Sequence, residues 1–176
     1  MASGGAHSII GKMIGAARLD VHIFEEVEAD TSATGQALLV VALVALATGI
    51  GSAGTGGLGD IAVGIVVAVA GWAIWAWTVY LIGTKILPAH ETQANWGQLA
   101  RTLGFAQSPG ILKVFGAVPI VGAIILLVVS AWMFVAMVIA VRQALDYTST
   151  IRAIGVVLLG YIPYLILLFI VLGLPG

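Results

Sequence analysis

The residues that could do chemistry in this chain are few and stand far apart. Arg101, Gln107 and Lys113 bracket the break Ser108-Pro109-Gly110. A cation beside a broken helix in an apolar chain suits an ion or substrate path, because the break frees backbone groups to bind. Snorkelling of both cations to the membrane surfaces accounts for them equally well. Arg142 and Asp146 stand i, i+4 apart and can pair on one helix face. Trp72 and Trp75 share a face at i, i+3, followed by Trp77 and Tyr80. That face could contact a lipid tail or stack on a hydrophobic pigment or quinone, although tryptophans in such helices more commonly face lipid or pack helices. No other cofactor is expected.

Nucleophilic and metal chemistry find no footing. Ser130 lies mid-span without a His or Asp partner in a recognisable motif, and a nucleophile needs a base in reach. His90-Glu91 has no second His at helical spacing, and His7 and His22 are far away in sequence. With Cys at 0, thiolate catalysis, disulfides and iron–sulfur ligation are excluded. The glycine-dense run 49–59 lacks the Gly-Lys-Ser/Thr of a phosphate-cradling loop and reads as a turn. No catalytic or metal-ligating residue is expected, and the protein reads as non-enzymatic.

The elements that must position these residues are membrane helices. The chain is 61% hydrophobic and 9% charged, against about 25% charged in soluble domains. Its mean hydropathy is +1.14. At roughly 20 apolar residues per crossing, the length suits four or five spans and leaves no room for a soluble domain. The net charge of -1 gives no reason to expect nucleic acid binding. The first residues show no apolar h-region or cleavage site, so the first span is expected to act as its own insertion signal.

In chain order, residues 6–30 repeat apolar positions at three- and four-residue steps, with Lys12, Arg18, His22, Glu25 and Glu26 mainly on other faces. This predicts one amphipathic helix in the membrane interface or against the bundle. Residues 1–35 form this amino-terminal segment and 36–176 the membrane domain. The first span is 36–50. Asp60 is expected to cap the second, 61–83, where Gly64 and Ala68 form a small-xxx-small pair. Trp77 and Tyr80 fit an aromatic belt, and Trp96 an interface anchor. Ser149 or Thr150 caps the last span, 151–172, which Pro163 should kink.

The span count turns on residues 111–141, apolar apart from Lys113. As one helix they would be about 46 Å long, too long for a hydrocarbon core of about 30 Å. Pro119 and Gly122 break the run. A third span over 99–118, a turn at 119–122 and a fourth span over 123–145 solve the problem. Charge agrees, since basic residues favour the cytoplasmic side. Five spans with the amino terminus inside place Lys12, Arg18, Lys85, Arg101, Arg142 and Arg152 in the cytoplasm and leave only Lys113 unplaced. Four spans would put Arg142 and Arg152 outside. The expectation is an all-α, five-span bundle in the inner (cytoplasmic) membrane, with its carboxy terminus outside.

Gly-Thr-Lys at 83–85, Arg-Thr-Leu-Gly-Phe-Ala-Gln-Ser-Pro at 101–109, Pro-Ile-Val-Gly at 119–122 and Ala-Val-Arg-Gln-Ala-Leu-Asp-Tyr-Thr-Ser-Thr at 140–150 resemble bacterial members of the Yip domain family. So does the approach to the first span, from Arg18 to Ala37. The resemblance implies five spans and a cytoplasmic amino terminus. Eukaryotic relatives are associated with Rab-type GTPases and vesicle traffic, and many carry a long soluble amino-terminal region that this chain lacks. The family offers no established catalytic residues to carry over.

The small-residue faces Gly64/Ala68 and Ala136/Ala140 suit helix–helix association. With short loops, partners would be met inside the membrane: lipids, other integral membrane proteins, or a second copy. The expected role is an accessory or scaffold subunit or a membrane-organising factor. The alternative is a small transporter or channel component using the break at Ser108-Pro109-Gly110. Arg101, Gln107, Pro109, Arg142 and Asp146 form the expected cytoplasmic-face motif. Substitution of Arg101 or Pro109 by alanine is expected to disturb assembly more than Lys12→Ala.

Overall fold

A left-handed Leu19 (φ 63°) breaks the amino-terminal stretch into two helices. They are α1 (Ile9–Ala17) and α2 (Val21–Ala29), which corrects the single helix expected over 6–30. Ser8 caps α1 by accepting from the Gly11 N–H, and Asp20 caps α2 by accepting from that of His22. The reversal lays α1 over α2 at Gly15 and Ile23. It also turns Lys12 inward, contrary to the polar face foreseen for it. Lys12 is 1% exposed, with Nζ 2.6 Å from Asp30 and 3.7 Å from Glu26. Ile10 and Ile14 point outward instead. The pair packs on the bundle, where Trp132 Nε1 donates to the Ala17 carbonyl at 2.8 Å.

This computed structural model describes residues 7–52, 58–89, 92 and 94–163, and all the regular elements among them are helical. Three are long and apolar enough to cross a membrane. They are α3 (Ala33–Gly51), α4 (Leu58–Leu81, prolonged by a π-helical turn, Ile82–Ile86) and α6 (Gly122–Ala144). Asp60 lies within the first turn of α4 rather than at its cap, where a carboxylate still favours the helix dipole.

The third span expected over 99–118 is not one helix. α5 (Trp96–Phe105) opens with a reciprocal Asn95–Gln98 capping box and ends before Gln107. A 3-10 helix, Ser108–Ala117, follows, with Pro109 in its first turn where a missing N–H costs nothing. Ten residues are long for this helix type. Rising about 2.0 Å per residue, against 1.5 Å in an α-helix, they extend the path by about 5 Å. The stretch runs alongside α3 in the same direction. A Cβ on Gly104 would sit 2.7 Å from that of Ala37, one on Gly110 2.6 Å from Val44, and one on Gly51 1.8 Å from the Lys113 carbonyl. The backbones thus touch where side chains would hold them apart.

The turn expected at 119–122 is present. Gly122 N–H donates to the Val118 carbonyl at 2.8 Å, and Ile120 takes a left-handed φ of 72°. From there α6 returns antiparallel, with Leu126 beside Gly116 and Met133 beside Gly110. Ala136, Ala140 and Val141 on α6 join Val40, Leu99, Leu103 and Phe105 in the buried core. Finally α7 (Thr150–Gly160), capped by Ser149, packs Gly160 against Trp75 and Val79 of α4. The remainder of the last span beyond Pro163, residues 53–57 of the glycine run, and His90, Glu91 and Gln93 lie outside the described residues.

Candidate functional site

Arg101 is the hub of the face that carries the chain ends of α2, α5 and α6. It is 6% exposed and does not snorkel to solvent. Its Nε donates to the Val27 carbonyl at 3.0 Å, and a terminal nitrogen donates to that of Glu28. The last carbonyls of a helix have no partner within it, and a cation there also meets the negative end of the dipole. Arg101 therefore stops α2 and docks it on α5.

Two amides extend this junction. Gln98 Nε2 donates to Glu28 Oε1 at 3.0 Å, and Gln143 Nε2 donates to Glu25 Oε1 at 3.1 Å. Burial, reinforced by the charge of Asp146, pushes the Glu28 carboxyl up to about 7. Asp30 goes the other way, to about 2, held by hydrogen bonds from Lys12 and Ser32.

The Arg142–Asp146 pair does not form. α6 ends at Ala144, and Asp146 takes a left-handed φ of 52°, which destroys the i, i+4 geometry. Arg142 donates instead to the Tyr147 carbonyl at 3.2 Å and to Thr150 Oγ1 at 3.4 Å. Tyr147 is the residue whose role the sequence did not signal. Its hydroxyl donates toward the Gly83 and Leu87 carbonyls, at 3.0 and 2.5 Å, where the π turn leaves groups unpaired. Arg152 lies 5.6 Å from the Tyr147 ring centroid and donates to the Pro88 carbonyl at 3.1 Å. Thr92 Oγ1 donates to the Leu145 carbonyl at 2.8 Å. One face thus gathers Arg101, Arg142, Asp146, Tyr147 and Arg152.

Lys113 belongs elsewhere, at the opposite end of α3 beside Gly51. Pro109, Ser108 and Gly110 are buried at the break. Ala136 and Ala140 are used within the chain's own core, whereas a Cβ on Gly64 would touch nothing within 4 Å. Ala68 and Gln107 line two adjoining cavities. One, about 430 Å³, lies between α4 and α7 and is walled by Trp72, Trp75, Tyr161 and Met137. The other, about 310 Å³, is walled by Thr48, Ser52, Gly64 and Lys113. Trp75 and Tyr161 lie 5.5 Å apart. Trp72 is buried, its Nε1 donating to the Ala100 carbonyl at 3.1 Å. Trp77 is exposed and Tyr80 half-buried. Trp96 ties α5 to α4 through the Ala73 carbonyl at 3.3 Å. Among the described residues no three His, Asp or Glu side chains converge for a metal ion.

Three long apolar helices and an internally satisfied polar junction at their ends fit an integral membrane protein. Residues 21–172 match the Yip1 domain, and the chain belongs to that family. No curated protein and no solved structure matches it.

Proposed function

We propose that this chain is a five-crossing, non-enzymatic protein of the cytoplasmic membrane that serves as an accessory or scaffold subunit through its α4 face. The observation that carries this reading is the outward side of α4. Of the three long helices it is the least buried, at 22% against 33% and 39%. Val63, Val67, Ala70, Ile74 and Trp77 are all exposed on it at alternating four- and three-residue steps, the spacing of one helix face. At its middle the adjacent Ala70 and Gly71, both exposed, allow close approach of another membrane helix.

Five crossings are supported by the path. The α5–3-10 stretch follows α3 from end to end, reverses at 119–122, and returns as α6. Lys12, Lys85, Arg101, Arg142 and Arg152, five of the seven basic residues, belong to the end that carries Arg101, in keeping with the charge rule for a cytoplasmic face.

The test is purification in a gentle detergent from native membranes, followed by mass spectrometry of the wild type and of Val67→Trp. A stoichiometric membrane protein that co-elutes with the wild type and is lost from Val67→Trp is the expected result. A chain that elutes alone with lipid, or a partner indifferent to Val67→Trp, contradicts the reading.

A further inference from the structure

Among the described residues, polar side chains in the membrane-embedded half of the molecule stand without a partner. Lys113 has no carboxylate within 4 Å among the described residues. The Gln107 side-chain amide makes no hydrogen bond among them either, and Gln107 lines both cavities. In hydrocarbon an unmet polar group costs several kcal/mol. Every other buried or half-buried cation in the helical region has partners: Lys12 has Asp30, and Arg101 has two carbonyls. Lys113, Gln107 and the buried Trp75 Nε1, which also has no partner among the described residues, line two cavities that share Ala68 and Gln107.

That space has a graded chemistry. At the Gly51 end stand Lys113 and the Ser52 and Thr48 hydroxyls, then Gln107 at the junction, then the apolar and aromatic wall of Trp72, Trp75 and Tyr161. From Gly64 to Thr78 on α4, the helix that lines both cavities, the space covers about 21 Å at 1.5 Å per residue. Each cavity is within the size range of ligand sites. A cation at the membrane-surface end, an amide beneath it and an apolar slot running inward complement an amphiphile with an anionic head, polar linkage and hydrocarbon tail.

We infer that the paired cavities hold one anionic phospholipid, its phosphate at Lys113, its ester region at Gln107 and an acyl chain along Trp72 and Trp75. The small pair Gly64/Ala68 then leaves space for this lipid rather than for a helix, since Gly64 and Ala68 border the cavities. The inference rests on the membrane-spanning reading of α3, α4 and α6, but not on the subunit role.

The test uses the full chain, membrane-extracted and delipidated in detergent, then offered equimolar phosphatidylglycerol and phosphatidylcholine of matched chains. Native mass spectrometry counts the retained lipid. The wild type should keep one phosphatidylglycerol, favoured about fivefold, the effect of one basic residue on an anionic headgroup. Lys113→Gln should lose the preference but still retain lipid. Ala68→Leu, which intrudes on both cavities, should lose retention. Lys85→Gln, a basic residue outside the cavities, should behave as wild type.

A wild type that retains the two lipids equally overturns the inference, as does a preference unchanged in Lys113→Gln or equally lost in Lys85→Gln. A neutral lipid or quinone carried through delipidation, or a second copy occupying the face, also overturns it. Membrane fractionation of the same preparations separates the two readings. A chain found in the soluble fraction defeats the membrane assignment, whereas a membrane-inserted chain without lipid preference defeats only this one.

Discussion

Arg101 and Lys12 show how a charge becomes structural in an apolar chain. Arg101 satisfies two carbonyls that α2 would otherwise bury unpaired, so Arg101→Ala should destabilise the protein by about 2–3 kcal/mol. Arg101→Lys should recover only part of this, because one ammonium cannot reproduce the guanidinium fork. Thermal unfolding in detergent, read by helical ellipticity, checks both. Lys12→Ala should lower the midpoint clearly more than Arg18→Ala, since Lys12 is buried on Asp30. The sequence alone ranks Lys12→Ala below Arg101→Ala and Pro109→Ala. Its i, i+4 spacing cannot reveal a chain reversal at Leu19, a residue type that gives no turn signal.

Glu28 carries the pH dependence at this scale. Its carboxyl is raised from an ordinary 4.5 to about 7 in the folded protein, so the native state binds a proton that the unfolded chain has released. Stability should therefore fall as pH rises from about 4.5 through about 7. Asp30, depressed to about 2, has the opposite sign: its contribution is present above about 3.8 and is lost only as pH falls towards 2. Melting curves from pH 5 to pH 8 should show a declining midpoint in the wild type. In Glu28→Gln the decline should flatten, because the neutral amide cannot titrate. An equal slope in the two proteins contradicts the assignment.

At the scale of elements, the glycines report which backbones touch. Gly51→Ala would drive a Cβ to 1.8 Å from the Lys113 carbonyl, and Gly122→Ala one to 2.0 Å from that of Gly116. Both contacts are with backbone, so neither can be relieved by a rotamer, and each substitution should lower the yield of folded protein severely. Gly71→Ala meets nothing within 4 Å. In a helix interior it should be neutral or stabilising by up to about 1 kcal/mol. Size-exclusion profiles and melting midpoints of the three variants separate these outcomes.

These close contacts explain what could and could not be read in advance. The turn at 119–122 was legible because Pro119 and Gly122 interrupt a run too long to be one span. The three long helices were legible from apolar length. The ten-residue 3-10 helix was not. Its cause is the glycine spacing at 104, 110 and 116 against α3, a tertiary contact that hydropathy does not encode. The Arg142–Asp146 pairing failed for a related reason, since helical spacing means nothing once the helix has ended. Of the expected face motif, Arg101, Arg142 and Asp146 do lie together. Tyr147, which closes the π turn, carried no signal beyond being a tyrosine in a loop.

Among the described residues, the bundle carries most of its charge in a polar junction at one end, with Lys113 and the apolar turn at 119–122 at the other. The junction gathers Arg101, Arg142 and Arg152 with the α2 carboxylates, while the other end is closed by the apolar turn at Ile120, 96% exposed. That asymmetry is what a membrane protein needs to fix its orientation, and α4 keeps an exposed apolar face. The most direct measurement is labelling of single cysteines by a membrane-impermeant thiol reagent in intact cells and in inverted vesicles, with no native cysteine to interfere. A cysteine at Ser149 should react only in inverted vesicles, and one at Ile120 only in intact cells. Labelling of Ser149 and Ile120 from the same side would contradict the five-crossing account.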